Sequence, residues 1–367
     1  MSVIYLLTFF VFLAIATHLF FRLYLPFGGK TKDSINEQSP NFANGKFVNQ
    51  IPTPMSIRLA DIPGLLKKYL ANDPARKPSQ RLVPEHLDVS KPTAPALAQI
   101  TWFGHSAFLL QLNGKTLLLD PMFSRSPSPF QSLGPQRFSD SLPASVAELP
   151  PIDAVLISHD HYDHLDYASI KKLGTKTTMF FVPLGLAAHL LKWGIPPQQI
   201  TELDWWDERS FEGLSFTCTP SRHFSGRTLT DRFATLWCSW VIKTSETNIF
   251  FSGDTGYGPH FKQIGKKFGP FDLTLLECGQ YDPLWPNVHM TPEQTMLAHT
   301  DLRGKRMIPM HWGAFVLAFH AWTDPVERVL AAGKKIDATV ITPKIGEVVN
   351  FKAKKYPTDR WWDKYTG

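Results

Sequence analysis

Ser158-His159-Asp160-His161-Tyr162-Asp163-His164-Leu165-Asp166, entered from the apolar run Asp153-Ala154-Val155-Leu156-Ile157, decides how the chain reads. The run follows Pro150 and Pro151 and has the length and composition of a buried strand. A strand that delivers H-x-H-x-D-H into a loop sets four metal-binding side chains close together. One ion cannot easily use four ligands packed so tightly. Two adjacent ions can, with His159 and His161 on the first and Asp163 and His164 on the second. The mixture of imidazole and carboxylate suits zinc or a similar borderline cation better than calcium or magnesium. A polar loop with incidental histidines would not be expected to place three His and two Asp in six residues behind a strand.

Two ions need further ligands, and three residues stand in the same context, at or just past the end of an apolar strand. His223 follows Leu214–Arg222, Asp254 follows Ile249–Gly253, and His311 follows Met307–Met310. Each alone reads more readily as a satisfied structural polar residue. Together they complete a dinuclear site. His223 becomes the third imidazole on the first ion, Asp254 the bridging carboxylate and His311 the imidazole on the second, with a bridging hydroxide between the ions. Asp120, in Leu119-Asp120-Pro121, is expected to orient a ligand imidazole or the metal loop. His105 has the same expected role, with a buried hydrogen-bonded histidine as the alternative. His189, His260, His299 and His320 have no metal context.

The 367 residues, 43% hydrophobic and 19% charged, can bury a large core, and a net charge of +6 without a Lys/Arg-rich block argues against a nucleic-acid partner. Cys218, Cys238 and Cys278 are scattered and read as buried free thiols of a reducing compartment. Val3–Phe21 is apolar except for Thr8, Thr17 and His18, about long enough to cross a bilayer. No cation precedes it, whereas Arg22, Lys30 and Lys32 follow, which sets the body on the cytoplasmic side by the positive-inside rule.

The division expected is a membrane anchor over 1–27, a linker and arm over 28–97, a catalytic domain over 98–355 and a tail over 356–367. Leu65, Leu66, Tyr69 and Leu70 beside Lys67 and Lys68 predict a short helix, dipping into lipid or docking on the catalytic domain. Asn113-Gly114 predicts a hairpin between Ile100–Leu112 and Lys115–Asp120. Helices are expected over 167–174 and 184–193, and strands over 178–183, 200–203, 214–219, 236–242 and 248–252. Thr291-Pro292-Glu293-Gln294 and Asp324-Pro325-Val326-Glu327 start two more helices. Alternating strands and helices predict sheets covered by helices, an α/β class.

The order H-x-H-x-D-H followed by single His, Asp and His resembles the metallo-β-lactamase superfamily, which implies a four-layer αβ/βα sandwich with zinc at the strand ends. Further blocks are Thr101–Ser106, Leu119–Phe123, Gly134–Phe138, Leu149–Asp166, Asp204–Trp206, Gly253–Tyr257, Gly269–Asp272 and His311–Gly313. On these, residues 50 to 350 are similar to the N-acyl-phosphatidylethanolamine-hydrolysing phospholipase D family. That resemblance implies two Zn2+ ions on His159, His161, His223, Asp163, His164, Asp254 and His311, and a homodimer. It also places His289 near the substrate phosphate; its expected role is proton donor or phosphate partner, with a structural histidine at a helix start as the alternative. Val288 stands before it, where a polar residue is expected.

The implied reaction is attack of a metal-bridged hydroxide on phosphorus of a membrane phospholipid. It would release N-acylethanolamine and leave phosphatidate. Leu65, Leu66, Leu284 and Trp285 are placed to shape acyl contacts. The alternatives are another substrate on the same fold, such as a lactone, a sugar phosphate or a different phosphodiester, and a tethered scaffold without catalysis. A complete set of seven ligands speaks against the scaffold.

Overall fold

A computed structural model describes residues 2–31, 36–54, 59–71, 73–89 and 98–366. The expected border between arm and catalytic domain, at 97/98, abuts a stretch outside the described residues. Helix α1 is Ser2–Leu23, and its segment Ile4–Leu23 is long and apolar enough to cross a membrane. Its large apolar side chains are exposed, Ile4 and Phe12 by 69% and 70%, a surface that calls for a non-aqueous partner. A small hairpin, β1 Phe42–Ala43 with β2 Lys46–Phe47, lies against the body and drives Phe47 into the main core.

Helix α2, Ile62–Leu70, forms as its spacing predicts, but it is not docked by its apolar face. None of its residues is buried, and Ile62, Leu66, Tyr69 and Leu70 are exposed. One of its cations instead reaches the body, Lys68 Nζ lying 3.1 Å from Asp282 Oδ2.

The first sheet contains β3 Gln99–Trp102, β4 Phe108–Leu112, β5 Lys115–Leu119, β6 Ile152–Leu156, β7 Thr177–Pro183 and β8 Ile200–Leu203. The second contains β9 Glu208–Phe211, β10 Leu214–Thr219, β11 Ser239–Lys243, β12 Asn248–Phe251, β13 Leu273–Glu277, β14 Arg306–Met310 and β15 Thr339–Val340. The last strand, β16 Val348–Asn350, returns to the first sheet, whose order is β16-β3-β4-β5-β6-β7-β8. The second runs β15-β14-β13-β12-β11-β10-β9. Each sheet has an antiparallel half that passes into a parallel half, at β5-β6 and at β12-β13.

Side-chain alternation builds the layers. Phe108, Leu110, Leu117, Leu119, Ala154 and Leu156 point into the core shared with the second sheet. Their neighbours Leu109, Leu118 and Val155 join the opposite cluster, under α3 Tyr167–Leu173 and α4 Ala187–Lys192. Helices α5 His260–Phe268, α6 Pro292–Asp301 and α7 Asp324–Lys335 supply Phe261, Ile264, Met296 and Val329 to the main core. The chain is thus an α/β layered sandwich, the architecture that the resemblance implies. The residues expected as a tail are part of it: Trp361, Trp362 and Tyr365 are buried beside Trp102 and Trp312.

Asn113 (φ 54°) and Gly114 (φ 72°) both take positive φ, the primed turn that matches strand twist, so the hairpin of β4 and β5 forms as its sequence predicts. Its first flank is shorter than expected, because a turn at Gly104 and His105 splits Ile100–Leu112 into β3 and β4. Two other elements are also trimmed. Leu236–Cys238 is buried loop rather than strand, and the helix expected from Leu184 starts at Ala187 after a turn through Gly185.

Candidate metal centre

The histidine-rich loop leaves β6 and meets the ends of β10, β12 and β14, so four strand ends from both sheets converge. The structure gathers all seven ligand candidates there, in two groups. His159, His161, His223 and Asp254 form one, with ligand atoms within 4.8 Å of one another. Asp163, His164 and His311 form the other, joined by His105. Asp254 lies between them: Oδ1 is 3.1 Å from His164 Nε2 and 3.1 Å from His311 Nδ1, and Oδ2 is 3.8 Å from His159 Nε2.

The outer nitrogens of His159, His164 and His223 are anchored, and their partners fix the ring orientations. Asp120 Oδ2 accepts from His164 Nδ1 at 2.6 Å, which turns Nε2 toward Asp254. The Asp120 carboxylate also accepts from Ser158 N (2.7 Å) and Ser158 Oγ (2.6 Å), and so holds the root of the loop. With its hydrogen given to Asp120, Ser158 Oγ accepts from His159 Nδ1 at 2.8 Å. The Val288 carbonyl accepts from His223 Nδ1 at 2.8 Å, so the residue before His289 acts through its backbone while its side chain is buried. Freed in this way, His159 Nε2 and His223 Nε2 converge on His161 Nδ1 at 2.9 and 3.2 Å. His105 bonds Asp163 Oδ2 through Nε2 at 2.8 Å, and its backbone pairs with Trp312 and His311.

Burial holds the imidazoles of His159, His223 and His311 well below the ordinary histidine pKa and that of His161 at about 4, keeping them in the neutral, ligating form. His164 is the exception. Burial opposes its charge, but Asp254, Asp163 and Asp120 outweigh that and raise it well above the usual value. Burial pushes Asp254 up to about 6. Asp163 goes the other way: burial raises it, and the charge of His164 with the bond from His105 wins, holding it well below the carboxylate range.

The centre opens into a cavity of about 310 Å³, walled by Phe224, Trp285, Val288 and Leu317, with His161, Asp163, Asp254 and His311 at its base. His289 stands at its edge, its ring 5.2 Å from both His223 and His311. Leu65, Leu66 and Leu284 do not line this cavity.

Sequence reasoning missed Glu277, the last residue of β13. Its carboxylate is buried, accepts from Thr255 N at 2.7 Å and pairs with His289 Nδ1 at 3.0 Å. Burial pushes its pKa well above the usual range. A strand ending on a carboxylate, the context that marked Asp254, was the available signal. Asn49 of the arm was also missed, with no local signal to find it. Its side chain binds both His223 N (3.1 Å) and His223 O (2.8 Å), so the arm helps set a ligand candidate.

Residues 115–312 match the model of the beta-lactamase superfamily domain. An uncharacterized protein of Mycobacterium tuberculosis is 42% identical over 322 residues, 86% of each chain. N-acyl-phosphatidylethanolamine-hydrolyzing phospholipase D 1 of Caenorhabditis elegans is 31% identical over 265 residues, 68% of this chain and 74% of that one. Among solved structures, the isothiocyanate hydrolase from Delia radicum gut bacteria shares the fold with a TM-score of 0.55 at 22% identity, over 70% of this chain and all (100%) of that one. With its strand ends carrying two groups of candidate metal ligands, the chain belongs to the metallo-β-lactamase superfamily and is a metal-dependent hydrolase of that fold.

Proposed function

We propose that the chain is a phosphodiesterase of the phospholipase D type that hydrolyses N-acyl-phosphatidylethanolamine to N-acylethanolamine and phosphatidate, using two Zn2+ ions. The observation that carries this reading is one centre in which Asp254 lies between two groups of ligand candidates, opening into a single cavity beside His289. The donor set fits two cations. Asp254 Oδ1 and His164 Nε2 are buried 3.1 Å apart without forming a well-aligned hydrogen bond, although such atoms are normally satisfied. His159, His161 and His223 with Asp254 would hold one ion, and Asp163, His164 and His311 with Asp254 the other. Two zinc ions there would supply a water acidic enough to ionise near neutral pH and would offset charge on the phosphate oxygens.

The protein's own groups then have separable tasks. Asp120 and His105 hold His164 and Asp163 in place. Glu277 orients His289, which faces the cavity where a phosphate oxygen or the departing alkoxide would sit and can donate a proton to it. Phe224, Trp285 and Leu317 give the apolar walls for the first carbons of a lipid.

The 31%-identical relative supports the choice of lipid, as does the surface around the cavity. The ring of Trp285, on the cavity wall, is 6.1 Å from Phe319, and Lys68 Nζ of α2 stands 5.3 Å above Phe319. In this reading the exposed apolar face of α2 rests in the bilayer surface next to the cavity. Helix α1 anchors the chain, with the body on the side of Arg22 and Lys30. A homodimer completes the proposal.

The test uses purified, zinc-loaded protein with N-acyl-phosphatidylethanolamine in mixed micelles, following both products by mass spectrometry. Equal amounts of N-acylethanolamine and phosphatidate, lost in His161→Ala, are expected. Absence of both products from protein carrying two ions would overturn the substrate assignment and leave the fold intact.

A further inference from the structure

A second cavity lies away from the metal centre. About 720 Å³ lies between the C-terminal end of α1, the segment that follows it, and the body, and it shares no lining residue with the metal cavity. The segment leaving α1 is fastened firmly here. Lys192 Nζ donates to Arg22 O (2.9 Å) and Gly28 O (2.7 Å), and Trp193 Nε1 donates to Leu25 O (2.7 Å). Arg227 Nη2 donates to Pro26 O (2.8 Å) while Nη1 donates to Leu165 O (2.9 Å), so one guanidinium ties the anchor's exit to the metal loop. Gly28 and Gly29 allow the close approach: a Cβ on Gly28 would lie 2.0 Å from His189 Nδ1, and one on Gly29 would lie 1.9 Å from Ala188 O.

The chemistry of the cavity is that of an anion with an apolar tail. Arg22, Lys30 and Lys192 line it, and no carboxylate forms an ion pair with any of them among the described residues. The two acids present are turned to other donors. Asp231 Oδ1 accepts from Arg227 N (3.0 Å) and Thr228 N (2.7 Å), and Asp160 accepts from Gly226 N (2.8 Å) and Thr235 Oγ1 (3.0 Å). His189 lines the cavity at 2% exposure; Nδ1 accepts from Gly29 N at 3.0 Å, and Nε2 has no hydrogen-bond partner, its nearest acid being 3.4 Å away. Phe21, Phe27 and Leu229 supply apolar wall, and Leu229 is 93% exposed at a loop tip beside the end of α1.

We propose that this cavity binds the phosphate headgroup of an anionic membrane phospholipid, with Arg22, Lys30 and Lys192 around the phosphate and the acyl chains running out along Phe21 and Leu229. The inference takes from the preceding reading only that α1 lies in a bilayer; it does not depend on the reaction. Because Asp160 belongs to the metal loop and forms part of the cavity wall, the bound lipid braces that loop from the side opposite the metals.

The test measures lipid retention, with no hydrolysis involved. The full chain in neutral detergent is given equal amounts of phosphatidylglycerol and phosphatidylcholine, and bound lipid is counted by native mass spectrometry. Preferential retention of phosphatidylglycerol is expected, falling about fivefold for each cation removed in Arg22→Gln and Lys30→Gln, both exposed positions outside the packed core. Glycerol 3-phosphate at the lipid's concentration is expected not to displace it. Equal retention of the two lipids, unchanged preference in the double variant, or displacement by glycerol 3-phosphate would each overturn the proposal. The variants are checked for flotation with vesicles, and a wild-type chain that fails to float removes the anchor and the site with it.

Discussion

Replacing Asp120 by Asn separates the metal centre from the fold around it. The carboxylate is fully buried and accepts three hydrogen bonds at 2.6–2.7 Å, from Ser158 N, Ser158 Oγ and His164 Nδ1. An amide can keep the bond from Ser158 N through its oxygen. Its NH2 then faces the hydroxyl of Ser158 and the ring nitrogen of His164, both of which are donors to Asp120. His164 must give up the proton on Nδ1 to accept from the amide, and the proton moves to Nε2, the atom that points at Asp254. A protonated Nε2 cannot ligate. Loss of such an orienting partner costs about 10- to 100-fold in metal affinity, and each bond to a charged acceptor is worth about 1.5–3 kcal/mol to folding. Chelator competition followed by metal counting should therefore show the ion held by Asp163, His164 and His311 weakened by that factor. The ion on His159, His161 and His223 should change less. Two ions held with wild-type affinity in Asp120→Asn would refute the assignment of the tautomer and of the role.

Asp254→Ala removes the carboxylate common to both groups, so metal counting should find fewer than two ions per chain and activity should be lost. Two retained ions with full activity would exclude a bridging role. His260 is buried, and burial lowers its pKa to about 3. The unfolded chain, with a histidine pKa near 6.5, binds the proton first, so the contribution to stability is complete above about pH 6.5 and declines as pH falls toward 3. Thermal melts at pH 7.5 and pH 5 should show His260→Gln losing about 2 kcal/mol less than wild type across that interval, and an unchanged difference would contradict the burial argument. Gly114→Val forces a β-branched residue to φ 72° and should cost about 1–2 kcal/mol, seen as a lower melting temperature with hydrolysis at that reduced stability unchanged.

The metal loop was legible because its ligands are local: one strand and six residues carry them, and an apolar run behind two prolines places the strand. His223, Asp254 and His311 were legible only as a set, since a lone polar residue at a strand end has many ordinary explanations. Glu277 shares that context and still escaped, because the ligand count was already complete without it. Asn49 could not be found at all. It acts on His223 from 174 positions away, and nothing about an Asn in a polar arm marks that contact.

Sheets covered by helices followed from alternating strands and helices and the sandwich from the family resemblance, whereas the break at Gly104-His105 followed from neither. The turn there is held by His105 pairing with Trp312, a contact across the fold rather than along the chain. The aromatic C-terminus was misjudged for a similar reason: a short segment rich in Trp reads as a tail until Trp102 and Trp312 are placed against it.

The most direct test of a phosphodiesterase acting at phosphorus is hydrolysis of N-acyl-phosphatidylethanolamine by the zinc-loaded protein in water enriched in oxygen-18. The account predicts one heavy oxygen in the phosphate of phosphatidate and none in N-acylethanolamine, with turnover lost on chelation and restored by zinc. Heavy oxygen in the N-acylethanolamine hydroxyl, or turnover that survives removal of the metal, would contradict it.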